Sequence, residues 1–496
     1  MIKNRFKLLI NITFILSLLI PVIAILFSPR FFTFLDNIRH SHTASNAEIE
    51  ALKRETPFWR NAIQVYNTSL YRLGVSGNKN AFVIARDGWV FLGDMHNGNF
   101  SQSIHRRLMK EEEASSWIEV LKYQTEYAKN HGIHLFFILA PAKWDIYSDK
   151  LPKWAGKSLK KPSSFDLVLN KAKDQPIEII DLRPALLEAR KNADTYSAFN
   201  THWTDYGAWV AWQEIAKHIQ QKFPHLKLFG LEHATPVFEK DFGNEFLPMV
   251  NLKRKNPWTF AKLRKPFPAY EIISPEGVHT KVPGSTLTDL LDLPRHTFNP
   301  SSTSPLRILV LRDSMGNALS PYLQSSFRET FQEGHHIRIA GAPPLNLTTE
   351  INQSKPDLII YVMTERNLSI PLSDINYWRA YHQFQHASLK QEHHWLLNQT
   401  HSDIQIKGDI NLKTPINMII PGLNKSTQLA KIMLQSDGDG QLCIRYGDNS
   451  YLQTFSKGNN EFYLILPKDL DHKLQLTNMT TDVATKLVSI TTRLKI

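Results

Sequence analysis

Ile308-Leu309-Val310-Leu311-Arg312-Asp313-Ser314-Met315-Gly316-Asn317 is the stretch on which the fold turns. Four unbroken apolar residues closed by a polar turn read as a strand buried on both faces, as strands of parallel sheets are. The turn that follows puts Ser314 where such a strand gives way to a helix. A serine there is exposed at the sheet's rim, and the free N–H groups of the next turn can stand beside its oxygen. The same texture recurs outward along the chain. Leu135 to Leu139, Ile177 to Asp181, His336 to Ala340 and Asp357 to Val362 are short apolar runs. Helical stretches at 109–130, 164–172 and 204–223 lie between some of them, the last with Trp209, Trp212, Ile215 and Ile219 at helical spacing. Strands alternating with helices predict an α/β domain whose parallel sheet is covered on both faces.

That domain is expected over residues 80–390, with an insertion at about 224–304 that is rich in Pro and basic residues and weakly periodic. It opens with Asp87-Gly88 between two apolar runs, a hairpin signal. Residues 400–496 change texture to short alternating runs separated by turns such as Ser436-Asp437-Gly438-Asp439-Gly440, which predicts a small β-sandwich.

At the other end, Lys3, Arg5 and Lys7 precede an uncharged run from Leu8 to Phe27. Twenty helical residues span about 30 Å, the hydrocarbon thickness. Residues 1–28 are therefore expected to be a cytoplasmic stub and an uncleaved transmembrane helix, followed by a stalk at 29–79. The basic flank predicts a single-pass inner-membrane protein with its body in the periplasm. Net charge is +12, from 58 basic and 46 acidic residues. That balance favours a polyanionic partner, and outside the membrane nucleic acid is excluded in favour of acidic glycan or lipid. The basic run 253–265, with Trp258 and Phe260 interleaved, suits the same partners. Cys443, the only cysteine, cannot form an intrachain disulfide and reads as a packed apolar residue. His382 and His386 are spaced for zinc on one helix face, but the sequence offers no third ligand, so no metal is expected.

Asn200-Thr201-His202-Trp203 is the second informative string. His202, just ahead of a helix, could be the base that Ser314 needs for acyl-group chemistry. Together the two strings resemble the SGNH-hydrolase-like domain of alginate O-acetyltransferases and related exopolysaccharide acetylation proteins, in which an Asp-x-His-Trp string precedes a Gly-Asp-Ser string. Arg86-Asp87-Gly88-Trp89-Val90-Phe91-Leu92, Ala140-Pro141-Ala142-Lys143-Trp144-Asp145-Ile146-Tyr147, Asp205-Tyr206-Gly207-Ala208 and Thr364-Glu365-Arg366 are similar to further stretches of that family.

The resemblance implies a three-layer SGNH-like domain, a carbohydrate-binding-like sandwich after it, and O-acetylation of a secreted or cell-surface polysaccharide. Ser314 would be the nucleophile and His202 the base, with no diffusible cofactor, and a membrane-bound O-acyltransferase would supply the acetyl group. Asn317, Lys143, Arg366 and Arg312 are candidates for substrate or oxyanion contacts. Two positions depart from the pattern: Asn200 stands where the family has Asp, and Arg312 where it has Gly. Either Asn200 orients His202 through its carbonyl, or Asp205 or Asp194 replaces the missing carboxylate, or the domain binds glycan without turnover. A polysaccharide acetyl esterase would use the same residues.

Overall fold

The computed structural model describes residues 57–155, 162–240, 245–250, 252, 254–335, 345–372, 374–387, 392–396, 412, 416–419, 427–447, 449–468, 473–480 and 482–494. A helix α1 (Pro57–Arg72) leads into the hairpin β1 (Phe82–Ile84) and β2 (Val90–Leu92). Asp87 and Gly88 take φ of 55° and 74° at its turn, the left-handed region that Asp-Gly supplies.

The central sheet has eight strands, in the order β4-β3-β12-β10-β11-β9-β7-β8. They are β3 (His134–Ala140), β4 (Ile179–Asp181), β7 (Tyr270–Ile273), β8 (His279–Val282), β9 (Arg295–Phe298), β10 (Ser304–Arg312), β11 (Phe327–Gly334) and β12 (Leu358–Thr364). A separate pair, β5 (Thr235–Lys240) and β6 (Pro257–Lys262), lies apart from them. The five strands from β4 to β11 run parallel. The sheet continues antiparallel through β9, β7 and β8. These last three come from the weakly periodic insertion, which thus lengthens the sheet instead of looping away from it. The strand after β10 is Phe327–Gly334; the run His336 to Ala340 lies outside the described residues.

Strand alternation sends side chains to two helical layers. Phe136, Ile138, Ile308, Val310 and Ile360 pack on Trp212, Ile215 and Ile219 of α5 (Asp205–Lys222), with α4 (Arg183–Ala189) and α6 (Ser320–Ser326) beside it. Leu135, Phe137, Leu309, Leu311 and Ile359 pack on α2 (Glu111–Asn130), α3 (Ser164–Ala172), α7 (Leu347–Ser354) and α8 (Ile375–His386). Each such side chain contributes about 1.5–3 kcal/mol by leaving water.

Toward the C-terminus two four-stranded sheets follow. One holds β13 (Glu392–Leu396), β15 (Gln428–Ser436), β18 (Gly458–Leu466) and β20 (Thr485–Leu494). The other holds β14 (Ile416–Ile419), β16 (Gly440–Tyr446), β17 (Asn449–Phe455) and β19 (Lys473–Asn478). Ile432, Leu434, Leu442, Ile444 and Leu476 share one core between them. From the first sheet Leu429 and Tyr463 join the helical layer, where Tyr381 and Phe384 of α8 meet Tyr463 with ring centroids 5.2 and 5.6 Å away. Among the described residues no helix is long and apolar enough to cross a membrane. The run Leu8 to Phe27 lies outside them.

Candidate active site

β10 ends at Arg312, and Ser314–Leu319 forms a 3-10 turn that runs into α6. Asp313 holds that turn. Its Oδ1 accepts from the Met315 N–H at 2.9 Å; its Oδ2 accepts from the Thr364 N–H and Asn367 Nδ2, both at 2.9 Å. The carboxylate is thereby pinned to the end of the neighbouring strand β12. Burial alone would push it toward the neutral acid, but His335, Arg366 and the Thr364 contact hold its carboxyl well below the usual carboxylate range. Ser314 is thus presented at the sheet's rim on a rigid support.

The loop before α5 supplies the partner. Thr204 caps that helix, accepting from the Gly207 N–H at 3.1 Å, and the Thr204 N–H returns to Thr195 O at 2.9 Å. A Cβ on Gly207 would stand 2.2 Å from Thr195 O, so the close approach of loop and helix requires glycine. Gly207→Ala gains about 1 kcal/mol of helix propensity but forces an overpacking cost of about 1–3 kcal/mol. A net loss approaching 2 kcal/mol is expected, read as a lower urea midpoint with unchanged slope.

On this loop Asn200 and His202 meet Ser314 in a line. His202 Nε2 lies 2.8 Å from Ser314 Oγ, as an acceptor should for the hydroxyl proton. On the ring's other side Nδ1 lies 2.9 Å from Asn200 Oδ1, which also accepts from the His202 N–H at 2.9 Å. Asn200 therefore fixes the tautomer that leaves Nε2 free to take a proton.

A carboxylate stands close by, and it is Glu245. Its Oε2 lies 3.6 Å from His202 Nδ1 and accepts from the Thr201 N–H at 2.7 Å and from the Thr201 hydroxyl, which is itself 3.3 Å from Nδ1. Burial opposes its charge, yet His202 and Thr201 hold its carboxyl well below the usual range. The Phe246 N–H donates to Phe199 O at 2.9 Å and so brings Glu245 against the loop. The two acids considered from sequence are engaged elsewhere: Asp205 accepts from Trp258 Nε1 at 2.5 Å, and Asp194 from the Tyr147 hydroxyl at 3.3 Å. Nothing local in the sequence marks Glu245.

The remaining candidates sort by what they touch. Arg312 is fully buried and donates to Gln332 Oε1, Asp313 O, Asn317 Oδ1 and Thr288 O at 2.7–3.2 Å. It braces the turn from beneath. Its stem fills the space a Cβ on Gly316 would need, only 2.1 Å from Arg312 Cδ. Asn317 answers Arg312 with its oxygen and donates its Nδ2 to Asp289 Oδ2 at 2.8 Å. Lys143 is also buried, and its ammonium donates to Val90 O at 2.5 Å and to Ser197 O and Ala198 O at 3.3 Å. The rings of Phe91 and Phe246 lie 4.9 Å from it. Burial pushes its pKa down to about 7 against the pull of Glu245. Lys143 thus ties the hairpin to the loop that carries His202. Arg366 is partly buried, and among the described residues its guanidinium has no hydrogen bond or ion pair. Its charge is felt at Asp313. Of the basic run, Trp258 is buried, and Arg254 lies over the Tyr71 and Phe199 rings.

Residues 82–261 match the family model ALGX, described as SGNH hydrolase-like domain, acetyltransferase AlgX. That span contains Asn200, His202 and Glu245 and ends before Ser314. Among solved structures the chain is similar to PatB1 of Bacillus cereus, at 18% identity over 58% of this chain and 96% of that one, with a TM-score of 0.42. It is similar to the O-acetyltransferase domain of AlgJ from Pseudomonas putida, at 15% identity over 58% and 92%, with a TM-score of 0.36. AlgX of Pseudomonas aeruginosa aligns at 12% identity over 85% and 96%, with a TM-score of 0.45. No curated protein sequence matches the chain. The resemblance carried by the hairpin and His strings is borne out: residues 82–261 match the SGNH hydrolase-like domain of the acetyltransferase AlgX.

Proposed function

We propose that this protein is a polysaccharide O-acetyltransferase working through an acetyl-Ser314 intermediate. The observation that carries the reading is the unbroken line from Ser314 Oγ through the His202 ring to Asn200 Oδ1, with both contacts at hydrogen-bond distance. His202 Nε2 takes the hydroxyl proton as Ser314 Oγ attacks the donor's acetyl carbonyl. The tetrahedral oxyanion needs donors, and the Met315 and Gly316 N–H groups are already held by Asp313. The Ser314 N–H, at the head of the 3-10 turn, is the backbone donor this reading assigns to the oxyanion. His202 returns the proton to the leaving group, leaving acetyl-serine. A sugar hydroxyl then enters, gives its proton to Nε2 and attacks the ester, and Nε2 passes the proton on to the departing Ser314 Oγ, which restores both residues. Arg366, whose guanidinium has no partner among the described residues, suits an anionic group of the glycan. The Leu8 to Phe27 run behind Lys3, Arg5 and Lys7 supports an inner-membrane anchor with this site in the periplasm. A membrane-bound O-acyltransferase is the acetyl supplier this reading calls for.

The test uses purified protein, a chromogenic acetyl ester and an added polysaccharide. Release of the chromophore with acetyl appearing on the glycan supports the proposal. Release with acetate alone as product makes the protein an esterase. No turnover with any acceptor removes the reading.

A further inference from the structure

We propose that Glu126, His382 and His386 form a divalent-metal site of the zinc type that ties α8 to α2. The sequence shows only the two histidines, one turn apart on α8. The fold supplies a third ligand from a different helix. His382 Nδ1 lies 2.9 Å from Glu126 Oε2, and His386 Nε2 lies 3.0 Å from Glu126 Oε1. The three ligand atoms all fall within 4.8 Å of one another. Zinc bonds to imidazole and carboxylate of about 2.0–2.1 Å, spread tetrahedrally, set neighbouring ligand atoms roughly 3.3–3.4 Å apart. The two histidine–carboxylate contacts, one to each oxygen of Glu126, need to widen by only a few tenths of an ångström. Tyr123 stacks on the His382 ring at 4.2 Å between centroids and holds its direction, and the Glu119–Arg379 ion pair at 2.7 Å fixes the same two helices one turn away. The His386 side chain is 61% exposed, so an ion can enter and a water can complete the fourth position.

Two imidazoles and a carboxylate suit zinc, nickel or copper better than calcium or magnesium, which prefer all-oxygen shells. The site also has a structural consequence. α8 carries Tyr381 and Phe384, which pack on Tyr463 of the first C-terminal sheet, so an ion here would fasten that sheet's docking helix to the catalytic domain. Glu126 is remote from Ser314 and His202 in the hydrogen-bond network, so this site is independent of the acyl chemistry.

The experiment is a Zn²⁺ titration of the full-length chain in competition with a chromogenic chelator, together with melting curves with and without Zn²⁺. One saturable equivalent is expected, with a higher Tm in Zn²⁺. Glu126→Gln, His382→Ala and His386→Ala should each weaken it by at least the roughly 10–100-fold that loss of an outer-shell partner costs. His386→Ala alters an exposed side chain and keeps the fold, so its loss of the zinc-dependent Tm rise isolates the metal. His279→Ala, at an exposed His–Glu pair elsewhere (2.8 Å), should change nothing. Zinc bound equally well by His382→Ala and His386→Ala, or no saturable equivalent at all, overturns the proposal.

Discussion

Ser314→Ala will remove acetyl transfer while leaving the fold in place. The hydroxyl is the group in hydrogen-bond contact with His202 Nε2, and no other nucleophilic side chain meets that ring nitrogen among the described residues. Deleting the nucleophile of a Ser–His pair costs on the order of 10⁶ in kcat. The support of the turn does not depend on the hydroxyl: Asp313 and Arg312 hold it through other atoms. The measurement is single-turnover acetylation of the protein followed by mass spectrometry. Wild type should gain one acetyl group on Ser314, and the variant none. An acetylated variant would place the intermediate elsewhere and end the proposed mechanism.

Glu245→Gln should lower kcat by about 10–150-fold, which is the loss of one charge-assisted interaction of roughly 1.5–3 kcal/mol. The effect is smaller than the roughly 10⁴-fold that follows when an Asp–His pair loses both charge and tautomer. Here the two duties are divided. Asn200 sets the tautomer, and Glu245, 3.6 Å from Nδ1, offsets the charge of the imidazolium. Asn200→Asp should therefore change kcat only a few-fold, since a second carboxylate beside Glu245 repeats a charge already present. A large rise in Asn200→Asp, with Glu245→Gln unaffected, would show that Glu245 is a bystander. Acid titration gives a second reading. A carboxylate depressed in the folded state contributes stability that is full above its unfolded value of about 4.3 and is lost as pH falls below it. Glu245→Gln should flatten that acid limb of stability, seen in urea midpoints below about pH 5.

The parts of this site that were legible in the sequence are those with a local cause. An apolar run ending in Asp-Ser has to bring its serine to a sheet rim, and a His two residues ahead of a helix cap is placed by that cap. Glu245 had no such mark. It sits in the weakly periodic insertion and arrives through one backbone contact, the Phe246 N–H to Phe199 O. Strands β7 to β9 were hidden for a related reason: their partners are each other and β11, and little in their own alternation names them. Arg312 could have been placed by alternation alone. It lies two residues from Val310 and four from Ile308, so its side chain enters the layer beneath the sheet. Lys143 gave no warning, because a lone lysine beside a strand end is ordinarily solvated, and only the fold shows three carbonyls closing around it.

The lengthened sheet also bears on solubility. Its two outermost members are β4, three residues long, and β8, which turns His279, Thr280 and Lys281 to solvent. A stub and a short cationic ribbon are poor templates for an incoming chain. The long hydrophobic strands lie between these blunt borders, and neither border offers a continuous row of unpaired amides for fibre growth.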